Sequence, residues 1–112
     1  MSFESHKTWK ALASRQRRAI LAALRGGPKT TSELVELFPK MTRFAVMRHI
    51  SVLRESNLVH TRGEGRSVLN ILNVIPLRRI YQELVDDYQD LWAKQLLRVK
   101  DMAERDQEDP PA

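Results

Sequence analysis

The chain has 112 residues, of which 42% are hydrophobic, and this is enough for one domain with a modest core. It contains no cysteine, so disulfides, thiolate metal sites and thiol redox chemistry are excluded. The net charge of +5 is unevenly distributed: residues 1–70 hold 13 Lys/Arg against 5 Asp/Glu, whereas residues 71–112 hold 6 against 9. This asymmetry favours a polyanion such as nucleic acid as the partner of the basic part.

No stretch of the sequence predicts a membrane protein. The longest apolar runs are far too short to span a bilayer, and the N-terminal segment MSFESHKTWK lacks the apolar core of a signal peptide. We therefore expect a cytoplasmic chain without a membrane partner.

Two helices are predicted ahead of the Gly26-Gly27-Pro28 segment, which ends the second of them. Ser14 separates the two helices and caps the second. Their apolar contacts are predicted to be Trp9, Leu12 and Ala13 in the first helix and Ile20, Leu21 and Leu24 in the second.

Three arginines, Arg15, Arg17 and Arg18, crowd the first turn of the second helix, where the helix dipole disfavours cations. Their position predicts a compensating contact. A DNA phosphate and a carboxylate of the acidic C-terminal helix are both candidates, and simple exposure to water is an equally good interpretation for any one of them.

Two short helices joined by a tight turn are predicted next. Thr30 and Glu33 form a capping box at the start of a helix that stops at Pro39. Thr42 caps the following helix, and Asn57 ends it, because Asn tolerates the left-handed conformation better than other non-glycine residues. This order of helix, turn and helix is that of a DNA-binding helix-turn-helix.

The helix at residues 42–55 has two contrasting sides when the chain advances ~100° per residue. One side is a narrow apolar stripe that must face a core: Val46, Ile50 and Leu53, flanked by Ala45 and His49. The other side is cationic and holds two apolar residues that the helix itself does not explain: Arg43, Phe44, Met47, Arg48, Ser51 and Arg54. Such a helix suits a DNA major groove, because arginine can bind guanine and Phe or Met can contact a thymine methyl group.

Two residue types on this helix have a competing interpretation. Aromatic and Met side chains at helical spacing are usually core residues, but the helical wheel places Phe44 and Met47 on the outside. His49 is interpreted as a packed or backbone-bonded histidine rather than a residue that reads bases.

A β-hairpin is predicted after this helix. Residues 58–62 and 66–72 are strand-like, and glycine on both sides of Glu64 allows the positive φ of a hairpin tip. Arg62 and Arg66 flank that tip. In a winged helix such arginines contact phosphates or enter the minor groove, whereas the alternative is a surface hairpin with solubilising arginines.

The last predicted helix covers about residues 76–105 with Pro76 in its first turn, and at ~1.5 Å per residue it is ~45 Å long. A domain of this size cannot cover all its apolar positions, so we predict a dimer interface formed with the symmetry mate and the first helix. The predicted interface residues are Trp9, Leu84, Tyr88, Leu91, Trp92 and Leu96. The alternative is that the helix folds back on its own core. Residues 107–112 are predicted to form a disordered tail beyond a domain of residues 1–106.

Four segments together resemble the ArsR family of bacterial winged-helix repressors. They are WKALASRQRRAILAALRGG, TSELVELF, TRFAVMRHISVLRESNLV and HTRGEGRSVLNIL, and the match keeps its order and spacing over roughly residues 9–92. The resemblance implies a mainly α winged helix-turn-helix with a small β-hairpin, dimeric through its N- and C-terminal helices. It also implies a homodimer that represses transcription at palindromic operators, with helix 42–55 in the major groove and hairpin 58–72 as the wing.

Carried over by position, the resemblance implies a set of DNA-contacting residues. Base-facing positions are Arg43, Phe44, Met47 and Arg48, phosphate-facing positions are Thr31 and Thr42, and wing positions are Arg62 and Arg66. Met47 stands where Ser is common and Arg43 where Gln is common, so we expect an operator that differs from those of typical members.

The chain resembles the subgroup of the family without metal ligands. Metal sensors in the family carry cysteines ahead of the second helix of the motif, or Asp and His pairs along the last helix, and this chain has neither. His6, His49 and His60 share no helical face with the acidic cluster at residues 86–90 at the spacing of a zinc site. We predict no metal and no cofactor. The effector stays open: a small apolar ligand at the dimer seam, a protein partner, or none.

Two other functions fit less of the sequence. A winged-helix interaction module could use the last helix to bind another protein without sequence-specific DNA binding. An enzyme is disfavoured, because the chain has no nucleophile elbow, phosphate-binding glycine loop or metal-ligand set, and we predict no catalytic residue. The acidic cluster at residues 86–90 is more simply a solvated face or a partner for arginines.

Overall fold

A computed structural model describes residues 2–108, which form six α-helices and a three-stranded antiparallel sheet. The helices are α1 (Phe3–Leu12), α2 (Arg15–Ala23), α3 (Thr31–Leu37), α4 (Arg43–Glu55), α5 (Ile75–Asp87) and α6 (Gln89–Glu108). The strands are β1 (Lys29–Thr30), β2 (Val59–Glu64) and β3 (Ser67–Leu72). The predicted class, mainly α with a β-hairpin after a helix-turn-helix, is confirmed.

The described residues divide between Ile80 and Tyr81 into two compact units, and this boundary lies within α5. We call them the N-terminal unit and the C-terminal unit. Every buried hydrophobic residue of the described chain belongs to the N-terminal unit. The C-terminal unit consists of the end of α5 and the whole of α6.

Side-chain caps mark the start of the first four helices. The capping oxygens belong to Ser2, Ser14, Thr30 and Thr42, and each accepts the backbone N–H three residues later, at 3.0 to 3.2 Å. Glu33 completes the predicted capping box, since its Oε1 accepts the N–H of Thr30 at 3.0 Å. A cap satisfies an N–H that the helix leaves unpaired, so these helix starts follow from the local sequence.

The core of the N-terminal unit is built around α4. Val46 and Leu53 are 0% exposed and Ile50 is 6% exposed, so the predicted apolar stripe is confirmed. The stripe packs with buried residues from the other elements of the unit: Ala11, Ile20, Leu21, Leu24, Leu34, Leu58 and Val59. This packing leaves the opposite side of α4 outside the core.

The end of α4 is a Schellman motif. Asn57 has a φ of 62°, the left-handed conformation predicted for it. The N–H of Leu58 donates to the carbonyl of Leu53 at 2.9 Å, and the N–H of Asn57 donates to the carbonyl of Arg54 at 3.0 Å. These bonds satisfy the last carbonyls of α4 and turn the chain directly into β2.

The first helix buries a different side from the predicted one. Trp9 is 37% exposed and Ala13 is exposed, so of the three expected contacts only Leu12 packs against the core. The buried residues of α1 are Ser5, Thr8 and Ala11. Small side chains spaced three residues apart allow α1 to approach its neighbours closely, which an inward-facing indole would prevent.

The sheet contains one strand more than predicted. β3 is its central strand and pairs antiparallel with β1 on one side and β2 on the other. In the β1 pairing, Lys29 lies opposite Asn70 and Thr30 lies opposite Leu69. A strand of two residues has no periodicity of its own, which is why the sequence analysis missed it.

The hairpin tip is displaced from the predicted position. Glu64 pairs with Ser67, so the turn consists of Gly65 and Arg66 alone. Gly65 has a φ of 62°, and glycine in the first place of a two-residue turn suits the twist of the flanking strands. Arg66 therefore lies in the turn itself, while Arg62 lies within β2.

The prediction of one uninterrupted helix at residues 76–105 is wrong, because the helix is interrupted at Tyr88. The N–H of Tyr88 donates to Leu84 at 3.2 Å and the N–H of Trp92 donates to Tyr88 at 3.0 Å, so helical bonding continues on both sides. The apolar spacing is the same before and after this residue, and periodicity therefore gives no sign of the interruption. α6 extends to Glu108, two residues into the predicted tail, and the rest of that tail lies outside the described residues.

Candidate nucleic-acid interface

The outward side of α4 carries the cationic surface predicted from the sequence. Phe44 is 74% exposed and Met47 is 51% exposed, and Arg43 and Arg48 are exposed beside them. Because the apolar stripe on the other side is buried, these four side chains project from the fold rather than filling it. The interpretation of Phe44 and Met47 as core residues is therefore excluded.

We use the name candidate interface for this surface together with the start of α3 and the hairpin. All its members lie in the N-terminal unit: Thr31, Thr42, Arg43, Phe44, Met47, Arg48, Arg62 and Arg66. One unit thus carries every residue predicted to contact DNA.

A side-chain bond joins the starts of α3 and α4. Nη2 of Arg43 donates to Oγ of Ser32 at 3.2 Å. A guanidinium has five N–H donors, so this bond leaves others available for a ligand. Arg43 can therefore link the two helices and still contact an acceptor outside the protein.

Both threonines of the candidate interface already accept a hydrogen bond within the protein. Oγ1 of Thr42 accepts the N–H of Ala45 at 3.0 Å, and Oγ1 of Thr31 accepts Nδ2 of Asn70 at 3.1 Å. A hydroxyl has one proton in addition to its lone pairs, so each threonine retains a donor. Donors of this kind suit the oxygens of a phosphate.

Asn70 was not predicted from the sequence as a site residue, although it contacts Thr31 of this surface from the interior. Asn70 is 0% exposed, and its Nδ2 also donates to the carbonyl of Lys29 at 3.2 Å. Its Oδ1 is buried and has no hydrogen-bond partner among the described residues. A polar residue in the middle of a strand with otherwise apolar neighbours was the one available signal.

The hairpin presents its two arginines to solvent. Arg62 on β2 and Arg66 in the turn are both exposed, as are the residues between them. The hairpin therefore has the composition and exposure expected of a wing that contacts a nucleic-acid backbone.

No acidic side chain neutralises the arginines of the candidate interface within the described part of the chain. The two salt bridges found there lie elsewhere: Arg79 to Glu4 at 2.6 Å and Lys100 to Glu104 at 3.9 Å. The positive charge of the candidate interface is therefore available to an external anion.

Two of the arginines crowded at the start of α2 have a different partner from those considered in the sequence analysis. Arg17 donates from Nε to the carbonyl of Ala11 at 2.7 Å and from Nη2 to that of Lys10 at 3.0 Å, and Arg18 donates from Nη1 to that of Leu12 at 2.6 Å. These carbonyls form the C-terminal end of α1, where cations are favoured by the helix dipole. The cluster thus joins α1 to α2.

His49, a residue of α4, contacts this cluster. Its Nδ1 is 3.4 Å from Nη1 of Arg17, and the side chain is half-buried. Burial lowers the pKa of His49 below its ordinary value of 6.5, and the positive charges of Arg17 and Arg48 lower it further. A neutral imidazole can accept a bond from Arg17, which agrees with its interpretation as a packed histidine.

The residues predicted for a dimer interface have uncovered side chains. Trp9 is more than one-third exposed, Leu84 is half-buried, and the remaining four are each more than half exposed: Tyr88, Leu91, Trp92 and Leu96. The four exposed residues leave an apolar stripe along the C-terminal unit without a cover inside that unit, whereas Trp9 belongs to the N-terminal unit. Their role in dimerisation stays a prediction.

The described residues form neither a metal site nor a membrane-spanning helix. Those residues bring no three His, Asp or Glu side chains together in a way that could hold a metal ion. None of the described helices combines the length and the apolar composition needed to cross a bilayer.

The sequence and the fold are similar to those of known regulators. A family model described as a helix-turn-helix domain matches residues 12–62. The HTH-type transcriptional regulator Rv2034 of Mycobacterium tuberculosis is 37% identical over 76 residues, which are 68% of this chain and 60% of that protein. The match thus spans less than two thirds of the length of this curated relative.

Solved structures extend the comparison to the fold. The ArsR family transcriptional regulator RHA00566 superposes with a TM-score of 0.73 at 32% identity, covering 80% of this chain and 97% of that one. Reduced HlyU from Vibrio cholerae N16961 superposes with a TM-score of 0.61 at 26% identity, covering 76% of this chain and 88% of that one. An ArsR-like regulator from Rhodococcus sp. RHA1 is 23% identical with a TM-score of 0.70 over 89% of this chain and 92% of its own, and supports the fold alone.

Proposed function

This chain belongs to the ArsR family of helix-turn-helix transcriptional regulators, and from this membership we propose that it is a homodimeric repressor acting on a palindromic DNA operator. The family and fold are those of DNA-binding regulators, which are not enzymes. The observation that carries the proposal is the outward side of α4. Exposed arginines without acidic partners among the described residues stand there beside two exposed apolar side chains.

In the proposed complex α4 occupies the major groove. Arg43 and Arg48 can each form a bidentate bond to the O6 and N7 of guanine, and Phe44 and Met47 can contact thymine methyl groups. The four side chains share the exposed side of one helix, which matches the way in which a recognition helix reads successive bases. We therefore expect both G·C and A·T pairs in each half-site.

The remaining contacts hold the protein on the DNA backbone. Thr31 and Thr42 donate their hydroxyl protons to phosphates, while Arg62 and Arg66 reach the backbone or the minor groove from the wing. Such contacts fix position and orientation but carry little sequence information.

Two-fold symmetry follows if the uncovered stripe of the C-terminal unit pairs with a second copy. Exposed Tyr88, Trp92 and Leu96 give that stripe the aromatic and aliphatic composition common in interface cores. The two α4 helices of the dimer should then lie ~34 to 36 Å apart, about one turn of DNA.

The sharpest test is selection from a random pool of duplexes, followed by sequencing of the retained fragments. We expect an inverted repeat with a half-site spacing of about one helical turn. Enrichment without two-fold symmetry would contradict the dimeric operator complex. Repression is tested by placing the selected site over a reporter promoter, where increased transcription would contradict a repressor.

A pair of arginine variants tests the assigned surface. We expect Arg48→Ala to weaken binding to the selected site by ~1 to 3 kcal/mol and to relax the preference at one base position. Arg79→Ala is the matched control, because it removes the same side chain from a residue that is paired with Glu4 on α1. An Arg48→Ala protein with unchanged sequence preference would contradict the assignment.

The alternative function is a winged-helix module that binds another protein through its last helix. The exposed stripe of α6 is the observation that favours it. The dependence of DNA affinity on salt concentration distinguishes the two functions. A repressor that makes several phosphate contacts should lose orders of magnitude in DNA affinity when the salt concentration rises a few-fold. Failure to bind any duplex at low salt would favour the interaction module.

A further inference from the structure

We propose that Asn70 is a positioning residue for DNA binding, which holds the hydroxyl of Thr31 as a donor to a backbone phosphate. The inference rests on the proposed function, since it needs a DNA backbone beside the start of α3. It concerns a residue that lies behind the candidate interface and has no access to the DNA itself.

Asn70 lies at the centre of the sheet. It pairs with Lys29 of β1 and with Thr61 of β2, and it is 0% exposed. Both protons of its Nδ2 are used, one by the carbonyl of Lys29 at 3.2 Å and one by Oγ1 of Thr31 at 3.1 Å. The side-chain amide therefore binds the residues on both sides of Thr30, the cap of α3.

The direction of these bonds is determined by the carbonyl of Lys29. A carbonyl can only accept, so the amide nitrogen of Asn70 must face it, and the reversed amide would bring two acceptors together at 3.2 Å. The same amide nitrogen then makes Thr31 an acceptor in this bond. The O–H of Thr31 must find its own acceptor elsewhere, and no such acceptor is found among the described residues.

The amide of Asn70 is only partly satisfied within the fold, since its Nδ2 makes two hydrogen bonds and its oxygen makes none. Its Oδ1 is buried without a hydrogen-bond partner among the described residues, and an unpaired buried acceptor is destabilising. An apolar side chain in the centre of β3 would avoid that penalty. It would also lose both bonds from Nδ2, one to the carbonyl of Lys29 and one that orients the hydroxyl of Thr31.

The same residue connects the wing to the helix-turn-helix. Arg66 lies in the hairpin turn, and Asn70 lies on β3, the strand that follows this turn. The side chain of Asn70 donates to Thr31, the first residue of α3. Together with the pairing of β1 and β3, this side chain holds the wing and the start of α3 relative to each other, which is the arrangement that one DNA backbone would have to match.

The test measures the affinity of the full-length protein for two duplexes, the selected operator and a random sequence, by fluorescence anisotropy. We expect Thr31→Val to weaken binding about fivefold, the effect of one hydrogen bond of average net strength, and Thr31→Ser to restore it. The loss should be equal on both duplexes, because a phosphate contact carries no sequence information.

Asn70→Ala should weaken binding by a similar factor, and the double variant with Thr31→Val should lose little more than either single variant, because both changes remove the same contact. Asn73→Ala is the matched control: its Nδ2 donates to the carbonyl of Asn57 at 2.8 Å, away from the candidate interface, and its loss should leave the affinity unchanged. If Asn70→Ala does not fold, Asn70→Val replaces it, because Val suits a strand and has no amide.

Three outcomes would overturn the inference while leaving the proposed function intact: wild-type affinity in Thr31→Val, additive losses in the double variant, or an equal loss in Asn73→Ala. A wild-type protein that binds neither duplex would overturn the proposed function and this inference together.

Discussion

Helices α4 and α6 are both amphipathic, but only α4 has its apolar side covered by the unit to which it belongs. Val46 and Leu53 of α4 are fully buried, whereas Trp92 and Leu96 of α6 are each more than 60% exposed. The same hydrophobic periodicity therefore predicts a helix in both places without saying what will cover it. Buried residues of the N-terminal unit cover α4, whereas a second copy of the chain is the predicted cover of α6.

The largest expected difference between the two helices is in the cost of removing a leucine. Leu53→Ala should lower the free energy of unfolding by ~2 to 5 kcal/mol, because it leaves a cavity in the core. Leu96→Ala should change it by less than ~0.5 kcal/mol in dilute protein, where no partner covers the side chain. Urea denaturation at low protein concentration measures the free energy of unfolding of both variants. A large loss for Leu96→Ala under these conditions would show that α6 is covered by its own chain.

A higher protein concentration tests whether a second copy of the chain covers the stripe of α6. If the stripe of α6 meets a second copy, Trp92→Ala should weaken dimerisation by ~2 kcal/mol or more, as expected for a buried interface aromatic. Leu97→Ala is the control, since at ~100° per residue Leu97 lies on the opposite side of α6. Analytical ultracentrifugation measures the dimer dissociation constants of the two variants. Equal effects of the two variants, or a monomer at all concentrations, would contradict the predicted interface.

A smaller effect is expected where a local bond alone is removed in the N-terminal unit. Thr30→Ala should cost about 1 kcal/mol of stability, because it removes the cap of α3, while Thr30→Ser should keep most of it. The hydrogen bonds from Thr30 lower the pKa of Glu33 from its ordinary value of 4.5, so in acid the capping box is lost only as pH falls through that lowered pKa. Thermal unfolding of the two variants measures how much the cap contributes to stability. Equal stability of the Thr30→Ala and Thr30→Ser proteins would contradict the role of Thr30 as a cap.

The smallest effect is expected at His49. Its pKa is lowered in the folded protein, so below pH 6.5 the unfolded chain binds more protons than the folded chain. The free energy of unfolding therefore decreases as the pH is lowered from 6.5, until the pH is below the lowered pKa of the folded state. His49→Gln should remove this part of the pH dependence. His60→Gln, which changes an exposed residue of β2, should leave this part unchanged. Denaturant unfolding at a series of pH values measures the slope. A slope retained in His49→Gln would contradict the assignment.

Local features were the ones that could be predicted from the sequence. The caps at Ser14, Thr30 and Thr42 and the left-handed Asn57 depend on residues within one or two turns of each other, so spacing reveals them. The outward position of Phe44 could be predicted for the same reason, because a helical wheel needs only the order of neighbouring residues.

Features that depend on contacts between separate elements were missed or misassigned. β1 pairs with β3, and Asn70 bonds to Lys29 across 41 positions of the chain. Arg17 and Arg18 contact the end of the preceding helix, whereas their place at the start of α2 had suggested a DNA phosphate, a carboxylate of the C-terminal helix or water as the partner. The period of a single helix or strand does not predict such contacts, since they arise only when separate elements pack together.

The order of residues by itself determined where most helices start and end and which side of α4 is apolar, because hydrogen bonds and side-chain positions within a helix involve close neighbours. The tertiary structure alone decided which side of α1 is buried, how Asn70 meets Thr31, and which arginines are left without a partner in the described chain. These outcomes depend on which surfaces meet, and that is a property of the packed chain rather than of any one segment.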